Sequence, residues 1–153
     1  MVHLSANDQQ IIASYLSENT NAYMVILFGS AAKGTMRPDS DVDIAFMSDE
    51  ACLPYDLFMQ AQGLADLLRR EVDLIDFQQA SSVFKAQIIG GGNLLLDRQP
   101  LKRQYAFMRA LKEYAQLNEE RQVILDKFEY VGGNNGAQRY RDQQNGDHPS
   151  MHK

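Results

Sequence analysis

At 153 residues the chain suits one domain, because a core of that size already buries about two-thirds of the surface the unfolded chain exposes. A content of 44% hydrophobic and 23% charged residues is that of an ordinary globular protein and excludes fibrous and disordered classes. The formal charge of −5 argues against a protein that holds long nucleic acid by bulk electrostatics, since such binders carry clustered Lys and Arg.

Ser5 followed by Asp8 resembles a capping box, and Ile11, Ile12 and Leu16 recur at helical spacing, so residues 5–19 are predicted to be a helix. Ala22 to Phe28 (AYMVILF) is a buried strand, stopped at Gly29 by a tight turn. Ala31 to Lys33 makes one helical turn, and Gly34, Pro38 and Asp39 punctuate a loop that returns the chain beside the first strand. Val42 to Met47 is a second strand. Pro54 suits the first turn of a helix, along which Leu57, Phe58, Ala61, Leu64, Ala65 and Leu68 trace an apolar stripe. Arg69 and Arg70 complement its C-terminus, and Glu71 to Phe77 follows as a third strand.

A shorter helix from Ser81 to Ile89 turns Val83, Phe84 and Ile88 inward, and Gly90 to Gly92 stop it before a strand at Leu94 to Leu96. A long helix from Pro100 to Tyr130 closes the order, with Leu101, Tyr105, Met108, Leu111 and Ala115 on one face as a core stripe. Continuation of that face through Ile124 and Phe128 hints at a partner. The domain is therefore expected over residues 1–130. Residues 131–153 are too poor in apolar side chains to repay ordering, and are expected to form a polar, mobile tail. The expected class is α/β (α+β), a small mixed sheet flanked by helices. One cysteine, Cys52, rules out an internal disulfide. The start MVHLSAND lacks a secretory pattern, and no apolar run approaches a membrane span, so a cytoplasmic protein is expected.

The informative constellation is Gly29-Ser30, ten intervening residues, then Asp41-Val42-Asp43. Residues two apart on a strand share a face, so the Asp41 and Asp43 carboxylates stand side by side while Val42 enters the core. Two like charges there are favourable only with a cation between them, and hard Mg²⁺, expected as two ions, suits carboxylate and phosphate oxygens. Gly29 lets the backbone approach a phosphate closely, and Ser30 opens a helical turn whose hydroxyl and free N–H groups can hold triphosphate oxygens. Lys33, one turn on, adds a cation toward the same phosphates. A third carboxylate is expected from the strand at 71–76. Asp73, central and on the face of Glu71, is the better candidate, and Asp76 falls on the other face at the strand end.

At these residues the chain resembles the minimal nucleotidyltransferases, one-domain members of the DNA polymerase β-like superfamily. The pattern G-S-x(10)-D-x-D and the later Val72-Asp73-Leu74-Ile75 carry the resemblance, which spans roughly residues 20–115 and includes the Tyr-bearing stretch Gln104 to Leu117. It implies a polymerase β-like fold and an enzyme that uses ATP and Mg²⁺. Gly29 and Ser30 match the phosphate-binding pair, Asp41 and Asp43 the metal ligands, and Asp73 the third carboxylate. Lys33 stands where many relatives have Arg, and its ammonium cannot make the bidentate phosphate fork. The resemblance further implies a HEPN-domain ribonuclease toxin as partner, in a hetero-oligomer, with the chain as antitoxin moving AMP from ATP to a toxin tyrosine hydroxyl. Two alternatives stand beside it: an antitoxin that only binds and masks the toxin, and a small-molecule nucleotidyltransferase, which usually has a substrate-binding domain that the polar residues after 131 are not expected to supply.

Overall fold

The computed structural model describes residues 3–132, and side chains over residues 3–120. Helix α1 (Ala6–Thr20) begins where Ser5 Oγ accepts the Asp8 N–H, and it ends at Asn21, whose left-handed backbone returns its N–H to the Leu16 carbonyl. Ile12 and Leu16 are its fully buried residues, as the spacing predicts. Strand β1 (Ala22–Phe28) is buried at every position and is followed by the short helix α2 (Gly29–Lys33). Strand β2 (Val42–Ser48) pairs antiparallel with β1, which confirms that the intervening loop turns the chain back on itself.

Helix α3 (Pro54–Leu68) crosses over to β3 (Val72–Asp76), which lies parallel to β2. A 3-10 turn (Phe77–Gln79) and helix α4 (Ser82–Gly91), capped by Ser81 Oγ accepting the Phe84 N–H, lead to β4 (Asn93–Asp97) and α5 (Pro100–Gly132). The sheet order is β3-β2-β1-β4, with β4 antiparallel to β1. This is the mixed sheet flanked by helices that the pattern predicts, with β1 at its predicted bounds and each of the other strands lengthened or shortened by a residue at one or both ends. The inferred tail and the positions Ile124 and Phe128 lie outside the described side chains.

Side-chain alternation splits the core in two. Val42, Ile44, Phe46 and Leu74 face α1 and α3, packing on Ile12, Leu16, Leu64 and Leu68. Ala45, Met47, Ile26 and Phe28 face α4 and α5, packing on Phe84, Ile88, Phe107 and Ala110. Gly92 is where α4 gives way to β4. Its extended backbone passes so close to Ile26 and the Ile88 carbonyl that a Cβ there would lie 2.6 Å from that oxygen.

Two expected stripes are corrected. On α3, Leu64 and Leu68 are buried and Leu57 and Ala61 pack against the core, but Phe58 is 58% exposed and does not join them. On α5 the face that meets the sheet is Ala106, Phe107 and Ala110, with the Phe107 and Phe77 rings 5.3 Å apart. Leu101, Tyr105 and Met108, read as core, are 83%, 66% and 70% exposed. The small residues allow α5 to sit close over α4, and this rotates the larger ones outward.

Candidate active site

Three strand ends and one loop meet on the α4/α5 face of the sheet. Asp43, on β2, stands opposite Phe28 of β1 on one side and opposite Asp73 of β3 on the other. Asp41 precedes β2 by one residue and shares the Asp43 side by strand parity, while the intervening Val42 is fully buried on the other face. Asp41 and Asp73 are exposed, and Asp43 is half-buried. Burial, then the Asp73 charge and then the Asp41 charge push the Asp43 carboxyl up to about 6. The three carboxylates are thus close enough to feel one another.

Gly29 makes that closeness possible. It follows Phe28 with φ +65°, and a Cβ there would run into Asp43 Oδ2 and lie 3.2 Å from its Cγ. The same glycine therefore satisfies a left-handed turn and leaves room for a carboxylate beside the phosphate-side loop. Ser30 is half-buried in α2, and its carbonyl accepts from the Gly34 and Thr35 N–H groups, the latter at 3.0 Å. No side chain caps the start of α2, so its first N–H groups have no side-chain partner. Asn93 Nδ2 donates to the Ala32 carbonyl at 3.1 Å and ties α2 to the edge strand. Gly29, Lys33 and Asp43 line a cleft of about 560 Å³ together with Phe84, Gln87 and Tyr114. That volume lies within the range of about 300–1,000 Å³ usual for small-molecule sites.

Among the described residues, no group of three or more His, Cys, Asp or Glu side chains closes into a metal cage by itself. The acidic site is an open one. Its raised Asp43 carboxyl and the space at Gly29 suit a hard cation whose remaining ligands come from phosphate oxygens and water, the usual habit of Mg²⁺. Asp76 is set apart from this group. It is 5% exposed, shares the face of Val72 and Leu74, and accepts N–H groups of Gln78 and Cys52; burial pushes its carboxyl up. Its place at the strand end matches the sequence reading, but its burial does not announce itself in the sequence.

Sequence reasoning misses three neighbours of the site. Tyr114 comes from α5, within the stretch that carries the resemblance but without a role assigned there, and Gln87 comes from α4 and belongs to no motif. Arg70, assigned to the C-terminus of α3, instead reaches the loop before Asp41: its Nη1 donates to the carbonyls of Arg37 and Pro38 at 3.2 Å and of Ser40 at 3.4 Å. The residue that actually closes α3 is Arg69, in a left-handed conformation.

Comparison with known proteins agrees with this geometry. The family described as polymerase beta nucleotidyltransferase matches residues 10–101, which include the Gly-Ser turn and all three carboxylates. Protein adenylyltransferase MntA of Shewanella oneidensis (strain MR-1) is 31% identical over 135 residues, 88% of this chain and 94% of its own length. A toxin–antitoxin crystal structure with AMP-PNP contains a chain 32% identical, superposing with a TM-score of 0.70 over 78% of this chain and 96% of that one. A structure of tri-AMPylated Shewanella oneidensis HEPN toxin in complex with MNT antitoxin gives 27% identity and a TM-score of 0.67, over 79% and 95% of the two chains. No helix of the described residues is long and apolar enough to cross a membrane. With a family model matched over residues 10–101 and a relative 31% identical over most of its length, the chain belongs to the polymerase β nucleotidyltransferase family.

Proposed function

We propose that this chain is the antitoxin of a toxin–antitoxin pair and transfers AMP from ATP to a tyrosine hydroxyl of a cognate HEPN ribonuclease toxin. The observation that carries the reading is the juxtaposition of Asp43 with Asp73, Asp41 and Gly29 at the mouth of a nucleotide-sized cleft. It is supported by the 31% identity to a protein adenylyltransferase and by the likeness to antitoxin chains in complexes holding an ATP analogue or an AMPylated HEPN toxin.

In this reading Asp41, Asp43 and Asp73 hold Mg²⁺, Gly29 and Ser30 receive the triphosphate, and Lys33 adds a positive charge in the same cleft. Bound Mg²⁺ neutralises charge on the triphosphate and on the departing pyrophosphate. The chain itself orients the substrate. The free N–H groups at the start of α2 and the Ser30 hydroxyl fix the phosphates, and Asp73, exposed to solvent, takes the proton of the incoming hydroxyl. That oxygen bonds to the α-phosphorus, the bond to the β-phosphate's bridging oxygen breaks, and pyrophosphate carries away the electron pair.

The exposed apolar stripe on α5 would equally serve an antitoxin that works by covering its partner. Intact mass separates the two. Co-expression with a cognate HEPN toxin is expected to add one or more AMP units to the toxin, and Asp41→Asn with Asp43→Asn is expected to abolish the increment while the complex still forms. Toxin left without a mass increment by the parent chain refutes transfer, and toxin neutralised by the double variant as well as by the parent shows that masking, not transfer, is what neutralises it.

A further inference from the structure

Asp41 lies outside any strand, its side chain is exposed, and no hydrogen bond or ion pair joins it to another side chain among the described residues. A carboxylate so placed keeps a useful direction only if the backbone on both sides of it is held. On its C-terminal side the Val42 N–H donates to the Glu71 carbonyl at 2.9 Å, the first rung between β2 and β3. On its N-terminal side the turn at 37–40 is closed by Arg37 N–H to Ser40 Oγ at 2.8 Å and Ser40 N–H to Arg37 carbonyl at 3.0 Å. That turn is a local loop on the surface, and its own bonds do not attach it to the sheet.

Met36, next to the turn, is fully buried in the core and anchors its start, and the turn itself is held by Arg70. One guanidinium nitrogen lies within 3.4 Å of the Arg37, Pro38 and Ser40 carbonyls, so a single cation gathers three backbone dipoles of the turn that delivers Asp41. Arg70 makes no ion pair among the described residues, although Asp39, Asp66 and Glu71 line the same groove of about 410 Å³. Its backbone is fixed in turn, with its N–H at 3.3 Å from the Ala65 carbonyl at the end of α3. Asp41 is therefore bracketed by two consecutive residues of the neighbouring strand entry, Arg70 through its side chain and Glu71 through its carbonyl.

We infer that Arg70 is a positioning residue for the metal site: it acts through the main chain of residues 37–40 to hold the Asp41 carboxylate beside Asp43. The inference rests on the reading of Asp41 as a Mg²⁺ ligand. All three contacts come from one nitrogen, so a lysine ammonium keeps the charge and, with three N–H donors at one point, part of the bonding.

The test is calorimetric titration of Mg²⁺ into the full chain saturated with AMP-PNP, alongside thermal unfolding without metal. Arg70→Met, which keeps the aliphatic stem, is expected to weaken Mg²⁺ binding about tenfold, the scale usual for residues that orient metal ligands. Arg70→Lys is expected to recover most of that loss, and Arg70→Gln, which removes the charge, carries the test should the methionine variant not fold. Mg²⁺ affinity within twofold of the parent in folded Arg70→Met, or in Arg70→Gln where the methionine variant does not fold, overturns the positioning role whatever the change in melting temperature. Asp41→Asn serves as the reference: if it too leaves Mg²⁺ affinity unchanged, the assignment of Asp41 as a ligand is what has failed.

Discussion

Gly29 and Asp43 are coupled through space as well as through the fold, and their substitution should report it. Gly29→Ala places a Cβ against the Asp43 carboxylate at a residue with φ +65°, so both backbone strain and a side-chain clash oppose it. A loss of about 1–3 kcal/mol in unfolding free energy is expected, with transferase activity abolished because Asp43 must turn aside. Asp43→Asn should do the opposite to stability. The acid is pushed up to about 6 in the folded chain against an ordinary value of 3.8, so between those values the folded state binds more protons than the unfolded one, and stability falls as pH rises through that window. Above it the full penalty of an ionised, crowded carboxylate remains. After allowing for solvent screening of a half-buried group the penalty is about 1–2 kcal/mol, or about 3–6 °C in this size of domain. The metal-free asparagine variant should thus melt higher than the parent at pH 8, and the gap should close as the pH falls through about 6 toward 3.8 and below. A lower melting temperature at pH 8 would show that the Asp43 carboxylate is not destabilised by its neighbours.

At the scale of elements, α4 and α5 carry the contrast between what packs and what waits for a partner. Ile88 is fully buried beneath Phe84 and Phe28, whose rings meet edge to face at 5.6 Å, and Ile88→Ala should cost about 2–5 kcal/mol in urea unfolding. Tyr105→Ser and Met108→Ser, on the outer face of α5, should each change the stability of the isolated chain by no more than about 0.5 kcal/mol. Loss of complex formation with the toxin by the same variants would place the partner on that face. Periodicity made α5 and α3 legible as helices, but it could not say which side of each was covered. Leu101, Tyr105 and Met108 make the more hydrophobic stripe, and Ala106, Phe107 and Ala110 the one that fits against α4. Shape decided the outcome, and shape is a property of the pair of helices, not of one sequence segment. Phe58 is misread for the same reason.

For the whole molecule, the legible part of the site is the part written locally. The Gly-Ser turn, the Asp-x-Asp spacing and the parity of Asp73 against Asp76 all follow from strand geometry over a few residues, and the sheet pairs them as expected. Arg70, Gln87 and Tyr114 reach the same region only because a parallel crossover and two later helices bring them there, and no spacing along the chain encodes that. The consequence is that a bound nucleotide would touch the strand ends, α2, α4 and α5 at once, so its binding should stabilise the entire fold and not one loop. At a hundredfold excess over the dissociation constant the gain is about 2.7 kcal/mol, or about 5–11 °C for a chain of this length. Mg²⁺ with AMP-PNP should produce that rise in melting temperature, and chelation of the metal should remove it. Asp43→Asn should lose the ligand-dependent increment even though its own baseline is higher. Asp76→Asn, altered on the opposite face of the same sheet, should keep the increment whatever its baseline becomes. The increment is a difference between bound and free forms of one variant, so it separates a ligand contact from a general effect on stability, which the two baselines alone cannot do. Equal increments in the parent and in Asp43→Asn would mean that the nucleotide binds elsewhere.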